Sequence, residues 1–174
     1  YPKLTIKIIF FGLIFGTFLA PWVSQKLINE KTDFIESIEI DRSQKQRLII
    51  WGYSSKLITE KPFFGHGFDS SRYLSTKSGY YNNTNWSKLP LHPHNLWLQI
   101  WLELGLVGVL VFCVFLFSIY QSILKYNFST LDLCLINSSI SSISVLCLVS
   151  FGVWQFWWIS SIGILFGCIN IKLN

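Results

Sequence analysis

Methionine is missing from all 174 residues, including the first, which is Tyr1. A natural chain begins with methionine, so the expectation is an internal or C-terminal piece of a longer protein, with any N-terminal signal outside it. Charge is scarce: 13% of residues are charged, against 51% hydrophobic and 17% aromatic. With a mean hydropathy of +0.44, that balance excludes an ordinary soluble domain and points to a membrane protein. Cysteine is sparse as well. Cys113, Cys134, Cys147 and Cys168 all fall in apolar runs with no metal-ligand or redox spacing, and read as buried small hydrophobes. Nor is there a basic block behind the net charge of +5, since ten of the fourteen basic residues share residues 26–88 with seven of the nine acids. A mixed, solvated surface of that kind argues against nucleic acid, yet its small basic excess suits an anionic partner such as a diphosphate or lipid head groups.

What is abundant is apolar sequence in membrane-length runs. Residues 1–23 form a first transmembrane helix, with Lys3 and Lys7 ahead of its apolar stretch. Residues 24–93 are polar. Residues 94–120 hold a second span, and residues 131–171 are long enough for two more, turning near Gly152. The expected fold is an all-α polytopic membrane protein of about four transmembrane helices with a large, partly helical loop. Four spans place Lys3, Lys7, Lys125 and Lys172 on one face, which the positive-inside tendency assigns to the cytoplasm. The 24–93 loop then faces outward.

Within that loop, residues 41–59 carry Leu48, Trp51, Leu57 and Ile58 among polar residues, as an amphipathic helix does. Pro62 ends it, because the residue before proline avoids helix. Residues 63–68, Phe-Phe-Gly-His-Gly-Phe, form a glycine turn between aromatics. Residues 70–88, rich in Ser, Asn, Tyr and Gly, read as an irregular lid or binding loop.

His94 and Asn95 open the second span, directly after Pro93. At 100° per residue, Trp101, Gly105 and Gly108 fall within about 40° of His94, so glycines on that face would let another helix approach and turn the histidine into the bundle. An imidazole at a helix N-terminus stays neutral and can act as a general base, and the same helix end favours phosphate. Capping and anchoring explain His94-Asn95 equally well. His92, His94 and His66 lack a carboxylate or thiolate to complete a metal site, so no metal or other cofactor is expected. Glu103 lies on the opposite face, about 14 Å deeper by the helical rise, and is expected to pair within the bundle.

Arg47 is the second candidate. It shares a helical face with Trp51, and its fixed fork suits phosphate oxygens. A solvated arginine on an amphipathic helix is the alternative. Arg42 and Arg72 are weaker candidates of the same kind, and with Asn95 and Trp51 complete the expected substrate-binding set.

These elements resemble the O-antigen ligase and polymerase superfamily in order and spacing. Arg47-Leu48-Ile49-Ile50-Trp51 is similar to its Arg-x-x-x-Trp element. Pro62-Phe63-Phe64-Gly65-His66-Gly67 is similar to its Pro-x-x-Gly-x-Gly turn, and His94-Asn95 followed by Gly105-x-x-Gly108 to its His-Asn-to-glycine signature. The resemblance implies a multi-pass protein of the bacterial inner membrane with a large periplasmic loop. It implies transfer of a glycan from undecaprenyl diphosphate to an acceptor hydroxyl, without metal or nucleotide sugar. The acceptor would be the lipid A core for a ligase, the slightly favoured case, another repeat unit for a polymerase, or a protein hydroxyl for an oligosaccharyltransferase. It implies His94 as the base and Arg47 as the cation that neutralises the leaving diphosphate. A further arginine used by the family would lie upstream of this chain. A transporter of lipid-linked glycans would need ionisable residues through the spans, where Glu103 stands almost alone. A non-enzymatic assembly protein is the remaining alternative.

Overall fold

The computed structural model describes residues 1–29, 39–81, 84–149, 152 and 154–173. They form six helices: α1 (Pro2–Asn29), α2 (Arg42–Glu60), α3 (Ser70–Ser78), α4 (Leu96–Lys125), α5 (Thr130–Val149) and α6 (Phe156–Leu173). Outside them an isolated antiparallel bridge joins Tyr80 to Ser87. Three helices are long and apolar enough to cross a membrane: Pro2–Lys26, Leu96–Lys125 and Thr130–Val149. α6 is a further apolar helix of 18 residues. The side chains of Cys168 and Lys172 lie outside the described residues. Cys113 and Cys147 are half-buried, whereas Cys134 is exposed, so the thiols are less enclosed by protein than expected.

Two apolar cores hold the helices. At one end, Ile6 and Phe10 of α1 pack with Ile136 and Ile140 of α5, and the Phe10 ring lies 5.5 Å from that of Tyr120 on α4. Here the Asn137 amide donates to the Pro2 carbonyl at 3.0 Å. At the other end, Ala20 of α1, Ile50, Leu57 and Ile58 of α2, and Leu98, Ile100, Trp101 and Leu102 of α4 form a second core. This core lets a polar-looking helix, α2, bury one face against the membrane helices.

Pro21 lies inside α1. Proline has no N–H, so the carbonyl four residues earlier, at Thr17, loses its helical donor. The Trp101 indole supplies one instead, donating to the Thr17 carbonyl at 2.8 Å. One residue earlier, a Cβ on Gly16 would meet the Trp97 ring at 2.6 Å. Two tryptophans one turn apart on α4 thus seat on adjacent residues of α1.

α4 is broken. Gly105 has φ 62 and ψ −159, outside helical values. A break in a membrane helix frees backbone groups that need partners. All four partners come from the turn at 62–67. His66 N donates to Leu102 O and Gly67 N to Glu103 O, each at 2.9 Å, while Leu106 N donates to Pro62 O at 2.8 Å and Val107 N to Phe63 O at 3.1 Å.

Two expectations are corrected. The 70–88 segment is not wholly irregular, because α3 occupies its first half. Its Ser-rich composition favours loops, but tertiary bonds at its N-terminus, described below, override that preference. The shared face of His94, Trp101, Gly105 and Gly108 also fails. It assumes a straight helix, and the break at Gly105 ends the regular progression. Gly105 meets the 62–67 turn, and the contact nearest a Cβ at Gly108 is Leu104 of its own helix.

Candidate functional site

α2 starts at Asp41, whose carboxylate accepts from Ser43 N at 3.0 Å, a standard N-cap bond. Its apolar face places Ile49, Ile50, Leu57 and Ile58 in the core. Arg47 and Trp51 lie one turn apart beside that face and are half-buried. The Trp51 indole reaches across 42 positions of sequence and donates to the Pro93 carbonyl at 3.1 Å. The arginine-bearing helix is therefore tied to the residue immediately before His94.

His94 itself lies outside α4. Its backbone is left-handed, φ 56, and Asn95 is the true N-cap, its side chain accepting from Leu98 N at 3.2 Å. Asn95 is buried, with its side-chain oxygen occupied by the cap. His94 N donates to His92 Nδ1 at 3.3 Å, and the two rings meet edge-on, 4.2 Å between centroids. Burial, then the neighbouring His94, then Arg72 hold His92 down to about 4 from the usual 6.5. His92 is thus a neutral acceptor at neutral pH, and its bond helps fix the unusual backbone of His94.

The other arginines are engaged elsewhere. Arg72 pairs with Asp69, Nε to Oδ2 at 2.9 Å, on a largely exposed side chain, while its charge still reaches His92. Arg42 stacks over Trp86, 5.5 Å from the ring centroid. Among the described residues Arg47 makes no ion pair, which leaves its guanidinium available to an anion. Of the expected set, Trp51 meets Pro93, the residue before His94 and Asn95, Arg47 lies one helical turn from Trp51 on the same helix, Arg72 acts on His92 by charge, and Arg42 is held at Trp86.

Glu103 was underestimated. Its side chain is 0% exposed, and it accepts from Asp69 N at 3.0 Å, Ser71 Oγ at 2.5 Å, Gln99 Nε2 at 3.1 Å and the Trp154 indole. The carboxylate pairs within the bundle as expected, and it also holds the N-cap residue and a first-turn hydroxyl of α3, joining that helix to α4 and to the segment before α6. A lone acid inside an apolar run was the visible signal; its partners, more than 30 positions away for α3, were not. His92 was missed for the same reason, because its environment is tertiary.

Directly after Asn95, Leu96 and Trp97 begin an apolar groove of about 600 Å³, lined further by Leu13, Phe112, Leu116 and Trp158. The corner that carries His92 and His94 is therefore followed in the chain by the wall of a groove whose apolar lining suits a hydrocarbon chain.

Comparison with known sequences identifies the family. The sequence model of the O-antigen ligase family matches residues 2–113, the stretch that carries Arg47, the 62–67 turn and His94. The chain belongs to the O-antigen ligase family. Proteins provisionally named polysaccharide ligase are similar along most of it. One from Rickettsia felis is 36% identical over 163 residues, covering 89% of this chain and 38% of its own length. One from Rickettsia bellii is 38% identical over 162 residues, with the same coverage of 89% and 38%. This O-antigen ligase family chain thus spans well under half the length of those relatives. No solved structure matches it significantly. Family membership and the three membrane-length helices identify a multi-pass membrane protein.

Proposed function

We propose that this chain carries the reacting end of a membrane glycosyltransferase that moves a glycan from undecaprenyl diphosphate to an acceptor hydroxyl, with lipid A core as the acceptor. The reading is supported most by the Trp51–Pro93 bond, which joins the face bearing Arg47 to the corner bearing His94. Transfer from a diphosphate needs a cation for the leaving group and a base for the attacking hydroxyl. His94 takes the acceptor proton as the hydroxyl oxygen bonds to the anomeric carbon. The bond from that carbon to the diphosphate breaks, and Arg47 neutralises the departing charge. Arg72, Arg42 and Asn95 contribute to holding substrate, the first two by charge at the loop surface. The groove beginning at Leu96 and Trp97 accommodates the carrier's hydrocarbon, and no metal takes part. The protein sits in the bacterial inner membrane with residues 24–93 facing the periplasm.

The test is complementation by the full-length parent protein in a strain lacking its own ligase, with surface polysaccharide resolved on a gel. Wild type is expected to restore lipid-A-linked chains, and His94→Ala and Arg47→Ala to leave glycan on the carrier at normal protein levels. Restored chain length without attachment would make it a polymerase. Normal attachment by both variants would overturn the mechanism.

A further inference from the structure

The turn at 62–67 has a second face. Its backbone fills the break in α4, yet Phe63 is 64% and Phe64 78% exposed. Their height is set by the bonds from Leu106 N to Pro62 O and from Val107 N to Phe63 O. From 106 to 125, α4 is about 30 Å long, one hydrocarbon thickness, and it ends at Lys125. With Lys125 at the inner boundary, Gly105 falls at the outer edge of the hydrocarbon on this helix. Directly beyond it, Val107, Leu110, Val111 and Val114 are 47–69% exposed, an apolar strip that suits lipid or a further membrane helix.

We propose that Phe63 and Phe64 continue this strip as a wedge inserted among the acyl chains of the outer leaflet. The neighbouring residues fit that depth. Glu60 and Lys61, immediately before Pro62, are exposed, and a lysine there reaches the head-group phosphates while the two rings lie below. Two exposed aromatics at the tip of a rigid turn would be unfavourable in water, whereas aromatic rings partition readily at a membrane boundary. The wedge anchors the C-terminal end of α2, the helix that carries Arg47, at the membrane surface. It stands apart from the transfer chemistry and would survive a failure of that reading.

The test is photo-crosslinking with p-benzoylphenylalanine placed at position 64, and separately at 63, of the full-length protein in native membranes. Position 111 on α4 serves as the lipid control and position 77 on α3 as the aqueous one. The expected result is a phospholipid adduct through an acyl C–H at positions 63 and 64, within about twofold of the yield at 111. A peptide adduct would show that protein covers the turn, and a yield as low as that at 77 would place the rings in water. Either result overturns the wedge. Because both side chains are exposed, neither replacement disturbs the core, and the two positions check one another.

Discussion

Gly65 and Gly105 meet backbone against backbone: a Cβ on Gly105 would lie 2.5 Å from Gly65 N, and both residues have positive φ, 65 and 62. The contact joins the 62–67 turn to the broken membrane helix and lets four main-chain hydrogen bonds close around it.

Alanine at either position meets main-chain atoms, which cannot rotate away, on top of the cost of about 1–2 kcal/mol for a left-handed backbone. Gly65→Ala and Gly105→Ala are expected to destabilise by more than about 3 kcal/mol and to reduce the folded yield sharply. Gly67, with φ 108 but nothing within 4 Å, is the internal comparison. Gly67→Ala is expected to lose only the conformational part. Thermal melts of detergent-purified protein would separate the two classes.

Pro21 and Trp101 form a compensating pair through the Thr17 carbonyl. Trp101→Phe orphans that carbonyl and is expected to cost about 1–3 kcal/mol. Pro21→Ala restores the helical donor, so Trp101→Phe is expected to cost less in a Pro21→Ala background. A double-mutant cycle measures the coupling, and strict additivity would refute it.

Glu103→Leu leaves four donors without their acceptor, and about 3–5 kcal/mol of destabilisation is expected. Glu103→Gln retains one carbonyl oxygen, and the Ser71 hydroxyl can turn to accept from the new amide. It is expected to keep at least half of the stability lost in Glu103→Leu. Equal melting temperatures for the two variants would argue against the hub.

His92 gives the protein an acid limit. Its folded-state value of about 4 lies below the usual 6.5, so between these values the unfolded chain binds the proton that the folded chain refuses. The stabilisation is complete above about pH 6.5 and is lost as pH falls toward 4. His92→Gln is expected to flatten that part of the melting-temperature profile, and an unchanged slope would remove His92 as its source.

Trp51→Phe keeps the ring but not the bond to Pro93 O. If that bond aligns Arg47 with His94, glycan transfer is expected to fall about tenfold, from roughly 1.4 kcal/mol of lost positioning, with little change in melting temperature. Unaltered transfer would make the bond merely structural.

Helices were legible wherever local chemistry dominates. The apolar runs, the stop at Pro62 and the turn glycines at Gly65 and Gly67 each follow from near neighbours. So did the family resemblance, because Arg47, the turn and His94 keep their order along the chain. α3 was not legible, since its start depends on a carboxylate 32 positions away at Ser71's partner, Glu103. The role of Gly105 was hidden for a related reason: helical periodicity is a rule for unbroken helices, and the break is affordable only because another segment satisfies its backbone.

By itself, then, the sequence determined that this chain is membrane-embedded, where its long apolar helices run and which family it belongs to, since hydropathy, turn preference and motif order are local properties. Only the tertiary structure decided how these parts meet. Trp51 finds Pro93, Trp101 finds the carbonyl freed by Pro21, and the 62–67 turn closes the break at Gly105. Each depends on a polar group left unsatisfied in one segment and answered by a distant one, and a buried polar group without a partner costs too much to remain unanswered.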